Sequence, residues 1–76
     1  MRFQRASNIE TLRFIRKLEV ITVKDLIDEY GYSEGTARNK IHRLEKRGLI
    51  EKLGIRRGAY CLSIKGTRRL DYDDNR

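Results

Sequence analysis

Proline is absent from this chain of 76 residues, and cysteine occurs once. Without proline, the breaks between elements fall to glycine and to helix caps. The lone Cys61 excludes a disulfide framework within one chain and any multi-cysteine metal site. It reads as small filler, on the sheet face opposite Tyr60 and Leu62. No apolar run approaches the roughly 18 residues of a membrane span. No signal-peptide hydrophobic region follows the charged start Met1-Arg2-Phe3-Gln4-Arg5. These absences predict an intracellular, cytoplasmic protein with no membrane partner. Repeats, low-complexity stretches and linkers are missing too, so residues 1–76 are expected to form one domain with a structured core at about 7–72. Hydrophobic residues make up 38% of the chain, enough for a small core and too many for a disordered tail.

Charge of one sign is scarce in one part of the chain only. Eighteen Lys and Arg against eleven Asp and Glu give a net charge of +7, and the pI is near 10.0. In residues 1–37 six basic side chains cancel six acidic ones, whereas residues 38–69 carry eleven basic side chains and only Glu45 and Glu51 as acidic. Net charge speaks to partners and not to fold, and a cationic excess confined to one half points to an anion-binding face.

The apolar spacing predicts mostly helices. Ser7-Asn8-Ile9-Glu10 reads as a capping box, and Ile9, Leu12, Ile15 and Leu18, with Phe14 beside them, form the stripe of a helix over 8–18. Val20 and Ile21 suffice for a short strand or connector. Thr22-Val23-Lys24-Asp25 repeats the cap, and Val23, Leu26, Ile27 and Tyr30 share one face of a second helix stopped by Gly31. Ser33 then caps a third helix with Ala37, Ile41 and Leu44 buried, ended by Gly48 with Leu49 folding back on Leu44. The three-residue joint Gly31-Tyr32-Ser33 sets the two helices at a steep angle, a helix-turn-helix over 22–47. Leu49–Leu53 and Ala59–Ser63 are strand-like around the glycine-bounded connection 54–58, a hairpin spanning 49–63. Tyr60 and Leu62 share its inner face. Ser63 caps a last short helix over about 64–72 that presents Ile64 and Leu70 inward, and residues 73–76 are expected to fray.

This order, α-(β)-α-α-β-β-α, is mainly α with a small β-hairpin (α+β), and it resembles the winged helix-turn-helix family. The run YGYSEGTARNKIHRLEKRGLIEKL carries the resemblance: a capped recognition helix, then the exit Leu44-Glu45-Lys46-Arg47-Gly48-Leu49-Ile50 into the wing. Leu62-Ser63-Ile64-Lys65-Gly66 is similar to the Leu-Thr-x-x-Gly that closes the wing in regulators of the MarR type. Such regulators carry long flanking helices that this chain lacks, so no small-molecule effector is evident. The compact format also looks like the small winged-helix regulators of archaeal viruses and plasmids. The resemblance implies a DNA-binding transcription regulator.

The residues support that expectation on their own chemistry. With Ala37, Ile41 and Leu44 inside, 100° per residue places Gly35, Asn39, His42, Arg43 and Lys46 on the outer face, flanked by Thr36 and Lys40. An α-helix fits the major groove, where Arg pairs with guanine and Asn with adenine, and the N-terminal half of a recognition helix goes deepest. Thr36, Asn39 and Arg43 are therefore expected on base edges. Ser33, Gly35, Arg38, Lys40, His42, Lys46 and Lys52 are expected on phosphates or the groove, with Gly35 allowing close backbone approach and Ser33 at a helix N-terminus suited to a phosphate. Arg56 and Arg57 at the wing tip suit a narrow minor groove. Lys65, Arg68 and Arg69 extend the phosphate footprint, and Arg2 and Arg5 form a basic arm.

His42 stands alone, so no metal or cofactor is implied. Catalysis finds no support, because there is no Ser-His-Asp or Cys-His order and no phosphate loop. The expected partner is double-stranded DNA, read specifically by helix 33–47 in the major groove with the wing beside it. A homodimer built through Phe14, Leu70 and Tyr72 would square the specificity of a short recognition surface. Two other classes fit the same features: a winged-helix protein-interaction module, and a non-specific architectural or RNA-binding role.

Overall fold

The computed structural model describes residues 7–75. Its elements run α1 (Asn8–Leu18), α2 (Val23–Tyr30), α3 (Glu34–Lys46), β1 (Ile50–Lys52), β2 (Tyr60–Leu62) and α4 (Ile64–Asp74). Each helix begins at the polar residue the sequence offers as a cap. Ser7, Thr22, Ser33 and Ser63 accept from the backbone amides of Glu10, Asp25, Thr36 and Gly66, which satisfies donors that the first helical turn leaves without partners. At Thr22 the box is complete, since the Asp25 carboxylate returns a bond to the Thr22 amide at 2.9 Å.

The helix-turn-helix is fixed by glycine chemistry at both ends of α3. Gly31 closes α2 at φ 70°, in the left-handed region where a side chain is strained. At the far end of α3, Gly48 adopts φ 77°, its amide donates to the Glu45 carbonyl at 2.9 Å, and the Leu49 amide reaches the Leu44 carbonyl at 3.0 Å. That pair of bonds is a Schellman motif, and it turns the chain directly into β1.

β1 and β2 pair antiparallel with Ile50 opposite Leu62, Glu51 opposite Cys61 and Lys52 opposite Tyr60. Ile21 adds an isolated bridge to Tyr60, with amide–carbonyl bonds of 2.9 Å in both directions. The connector after α1 thus lies on the open edge of β2, giving the spatial order Ile21, β2, β1. This is the winged helix arrangement, mainly helical with a small antiparallel hairpin.

One core joins all the elements. Leu12, Ile15, Ile21, Leu26, Ala37, Ile41, Leu44, Leu49, Ile50 and Leu70 are buried in it, and Tyr32 closes its edge. Tyr32 stacks on Tyr30 at 5.3 Å, and Tyr30 meets Phe14 edge-on at 5.6 Å, so the aromatics knit α1 to the turn before α3. Cys61 is half-buried, facing neither fully in nor fully out.

Four expectations are corrected here. Leu18, placed on the inner stripe, is exposed, and Thr11 takes the buried position instead, its hydroxyl donating to the Ser7 carbonyl at 3.0 Å. Ile64, expected inward, is 73% exposed, because the inner positions of α4 are Gly66 and Leu70. Residues 73 and 74 do not fray. α4 continues through Asp74, where Arg13 bonds Asp73 at 3.0 Å and Arg16 bonds Asp74 at 3.2 Å. The same guanidiniums hold the Asp74 carboxyl below the usual carboxylate range. Lastly, Leu70 is fully buried and Phe14 packs on the core, which leaves Tyr72 as the exposed member of the three residues assigned to a dimer face. Phe3, Arg2 and Arg5 lie outside the described residues.

Candidate nucleic-acid interface

α3 presents the surface that its spacing predicts. Ala37, Ile41 and Leu44 are 0–2% exposed, whereas Gly35, Thr36, Arg38, Asn39, His42, Arg43 and Lys46 all face solvent. The dry stripe anchors the rod, and its outer side is polar and cationic. At its start, Ser33 is committed to the helix: its Oγ accepts from the Thr36 amide at 3.2 Å and donates to Thr36 Oγ1 at 3.0 Å. That second bond leaves the Thr36 hydroxyl proton free to donate outward. Glu34 pairs with Arg38 at 3.5 Å, an exposed i,i+4 pair of the kind worth only about 0.3–0.5 kcal/mol, so Arg38 is readily released to another anion.

The wing brings a second element to this surface. An open groove of about 730 Å³ runs between α3, the start of α2 and the wing. Arg38, Asn39 and His42 line it from α3, Lys24 from the first turn of α2, and Arg57 from the wing. Arg57 reaches it because the connection 54–58 is held as a tight loop: the Leu53 amide donates to the Ala59 carbonyl at 2.9 Å, and Gly58 turns at φ 76°. Arg56 is exposed beside it, and Ile55 stands 95% exposed at the tip. Three separated segments therefore converge on one groove with the cations Lys24, Arg38 and Arg57, the imidazole of His42 and no carboxylate in its lining.

Other expected site residues stand apart from this groove. Thr36 and Arg43 project from the opposite flank of α3, and Lys52 lies exposed on β1. Lys46 belongs to a second groove, with Arg47, on that far flank. Lys40, assigned to a phosphate, is half-buried, and its ammonium donates to Asn8 Oδ1 at 3.0 Å, tying α3 to the start of α1. Burial, then the neighbouring charge of Arg43, lowers the pKa of Lys40. Lys24 and Arg47 went unnoticed in the sequence. Lys24 falls in the half of the chain where charges cancel, and only folding brings it to the same groove as Arg38 and Arg57.

Packing does not account for the glycine at position 35. A Cβ built there meets nothing within 4 Å, so no protein atom requires glycine. Replacement by alanine is expected to stabilise the fold by about 0.5–1 kcal/mol, because glycine is a poor helix former. If the sequence expectation of close backbone approach at Gly35 holds, the same methyl group would stand in the way of a nucleic-acid strand. Gly35→Ala is therefore expected to raise Tm in thermal unfolding while weakening DNA binding several-fold. Unchanged affinity would remove close approach at this position.

A family model described as transcriptional regulator, AbiEi antitoxin, matches residues 10–63, from the first turn of α1 to the end of the wing. Neither a curated protein nor a solved structure matches the chain. No helix among the described residues is long and apolar enough to cross a membrane.

Proposed function

We propose, because the chain belongs to the AbiEi antitoxin family of transcriptional regulators, that it regulates transcription by sequence-specific binding to double-stranded DNA. In this reading α3 lies in the major groove, with Thr36, Asn39 and Arg43 toward base edges. Arg38, His42, Lys46 and the exposed Lys52 meet phosphates, and Arg56 and Arg57 of the wing take the adjacent minor groove or its phosphates. Occupancy is the mechanism: a bound protein blocks or recruits polymerase. It acts in the cytoplasm, and pairs of chains on two half-sites supply the specificity that one short helix lacks.

One observation carries the reading: α3 buries its apolar stripe and turns a cationic face toward a groove shared with the wing, whose lining holds no carboxylate. A protein-docking module would need exposed apolar anchors at this site. The groove is lined mainly by guanidinium, ammonium, amide and imidazole groups, its Val23 and Tyr60 are partly buried, and Ile55 at the neighbouring wing tip is a single exposed apolar side chain.

The test is selection of bound duplexes from a random pool, followed by a salt titration on the winner. Neutralising four to six phosphates gives a slope of log affinity against log salt of about −4 to −5. Recovery of a defined site with that slope supports the reading. Equal affinity for all duplexes means an architectural binder, and a slope near zero removes DNA altogether. Light scattering with and without the selected duplex reads the mass of the complex.

A further inference from the structure

The far flank of α3 carries a second cationic groove, and nothing in the wing-side arrangement uses it. Its volume is about 680 Å³, and Lys46, Arg47, Lys65, Arg68 and Arg69 line it without a single carboxylate. Arg47 and the wing-side Arg38 are nine residues apart, about two and a half turns, so the two grooves open on opposite sides of one helix. α4, which supplies Lys65, Arg68 and Arg69, lies beyond the residues matched by the family model.

The groove is built and held open by the fold. Lys65 Nζ donates to the Arg47 carbonyl at 3.0 Å, capping the end of α3 and fastening α4 against it. Ser63 Oγ donates to the Gly48 carbonyl at the same corner. Arg47, Arg68 and Arg69 form no ion pair among the described residues, although Arg13, Arg16 and Arg38 all do. Cations massed at one place without acidic partners repel one another, and an external anion relieves that repulsion.

The floor narrows the choice of anion. Of its apolar residues, Leu12 is 0% exposed and Leu49 is 8% exposed, while Ile9 is half-buried. Interfaces between proteins draw their affinity from buried aromatic and arginine anchors set in pockets, and this lining holds five cations and no aromatic side chain. A sugar–phosphate strand needs none, because its affinity comes from charge and counterion release. The groove also includes Lys46, which belongs to the exposed outer face of α3.

We propose that this groove is a second phosphate track, taking the strand on the wall of the major groove opposite the wing. The proposal rests on the reading that α3 enters a duplex, and it adds that both flanks of the helix are gripped. With the wing-side cations on one strand and Arg47, Arg68 and Arg69 on the other, the helix is centred between two backbones. Its insertion depth is then fixed from both sides.

The test uses the full chain, a short duplex of mixed sequence, and the variants Arg68→Ala/Arg69→Ala and Arg38→Ala/Arg57→Ala. Each pair is expected to reduce the magnitude of the salt slope by about 1.8, at roughly 0.9 per phosphate contact. Each should remove hydroxyl-radical protection from a different strand. The charge-keeping Arg68→Lys/Arg69→Lys variant is expected to restore the slope, which separates charge from any effect on folding; far-ultraviolet circular dichroism checks the latter. Wild-type binding with a slope untouched by Arg68→Ala/Arg69→Ala would overturn the second track and leave DNA binding standing. So would a loss that appears only as a second duplex leaving the complex, or capture of polyglutamate through these arginines with duplex affinity unchanged. A wild type that binds no duplex would bring down the parent reading and this one together.

Discussion

Gly66→Ala is expected to lose about 3 kcal/mol or more of folding stability, which lies at or beyond the upper end of ordinary overpacking. A Cβ at this position would stand 2.1 Å from the Leu49 carbonyl oxygen, 3.0 Å from its carbon and 3.3 Å from Leu62 Cδ2. The first two contacts are backbone, so no rotamer change relieves them. Nor can α4 easily slide away. The Ser63 amide donates to that same Leu49 oxygen at 3.1 Å, and Ser63 Oγ caps the helix through the Gly66 amide at 3.0 Å. Relief therefore means losing the cap, the Leu49 bond or the burial of Leu70.

The opposing term is smaller. Alanine is the better helix former by about 0.8–1 kcal/mol, which shifts the sum without reversing it. For 76 residues the total stability is of order 4–11 kcal/mol. A loss of about 3 kcal/mol in a domain of this size lowers Tm by roughly 12–24 °C. Thermal unfolding followed by circular dichroism measures it, with Gly35→Ala as the matched control. The two substitutions are chemically identical and lie in the first turns of two helices, yet their expected effects have opposite signs. A Tm for Gly66→Ala at or above that of the wild type would show that α4 does not sit against the Leu49 carbonyl as described.

The contrast between these two glycines also marks what the sequence discloses. Both stand near helix starts, and the family resemblance flags Gly66 as the end of the motif that closes the wing. Only the approach of α4 to the Leu49 carbonyl explains why a glycine belongs there. Elements whose signals are local were legible: caps at Ser7, Thr22, Ser33 and Ser63, the left-handed stop at Gly31, and the Schellman exit at Gly48. The end of α1 was legible only from the failing stripe, because Glu19 closes it at φ 70° where glycine is the expected residue. Ile64 and Leu18 were misplaced for a related reason. Apolar periodicity reports a helical face, but which end of that face meets another element depends on packing distant in sequence. For α4 the depth is set by Gly66 against the Leu49 carbonyl and Leu62, and for its last turn by Arg13 and Arg16, some 58–61 residues away.

The candidate site divides in the same way. The outer face of α3 follows from Ala37, Ile41 and Leu44 alone, since one buried stripe fixes the remaining positions of a helix. The partition of that face into two flanks does not. Arg38, Asn39 and His42 gather with Lys24 and Arg57, while Lys46 and Arg47 gather with Lys65, Arg68 and Arg69. Each group draws on segments distant in sequence. A tally of charge along the chain finds the cationic half but cannot separate its two sides, and it hides Lys24 among acidic neighbours.

Arg43→Ala is expected to weaken binding to the preferred duplex by about 5- to 150-fold, equivalent to about 1–3 kcal/mol, and to leave affinity for random duplexes within a few-fold. Arg43 is exposed on the third turn of α3, forms no ion pair among the described residues, and has like-charged Lys40 and Arg47 nearby. Folding therefore gains little from it, and truncation should change stability by no more than about 0.5 kcal/mol. A loss of binding is then not a loss of fold. The planar guanidinium is the group that pairs two-pronged with guanine O6 and N7, so Arg43→Lys should recover charge-driven affinity without recovering the preference. Lys52→Ala supplies the comparison. Lys52 lies on β1 outside both grooves, and its removal should weaken every duplex alike and reduce the magnitude of the salt slope by about 1. Competition between the selected and random duplexes, run for the three variants at one fixed salt concentration, separates a base contact from a phosphate contact. If Arg43→Ala weakens both duplexes equally, Arg43 belongs with the phosphates, and base discrimination must come from Thr36 and Asn39 nearer the start of the helix.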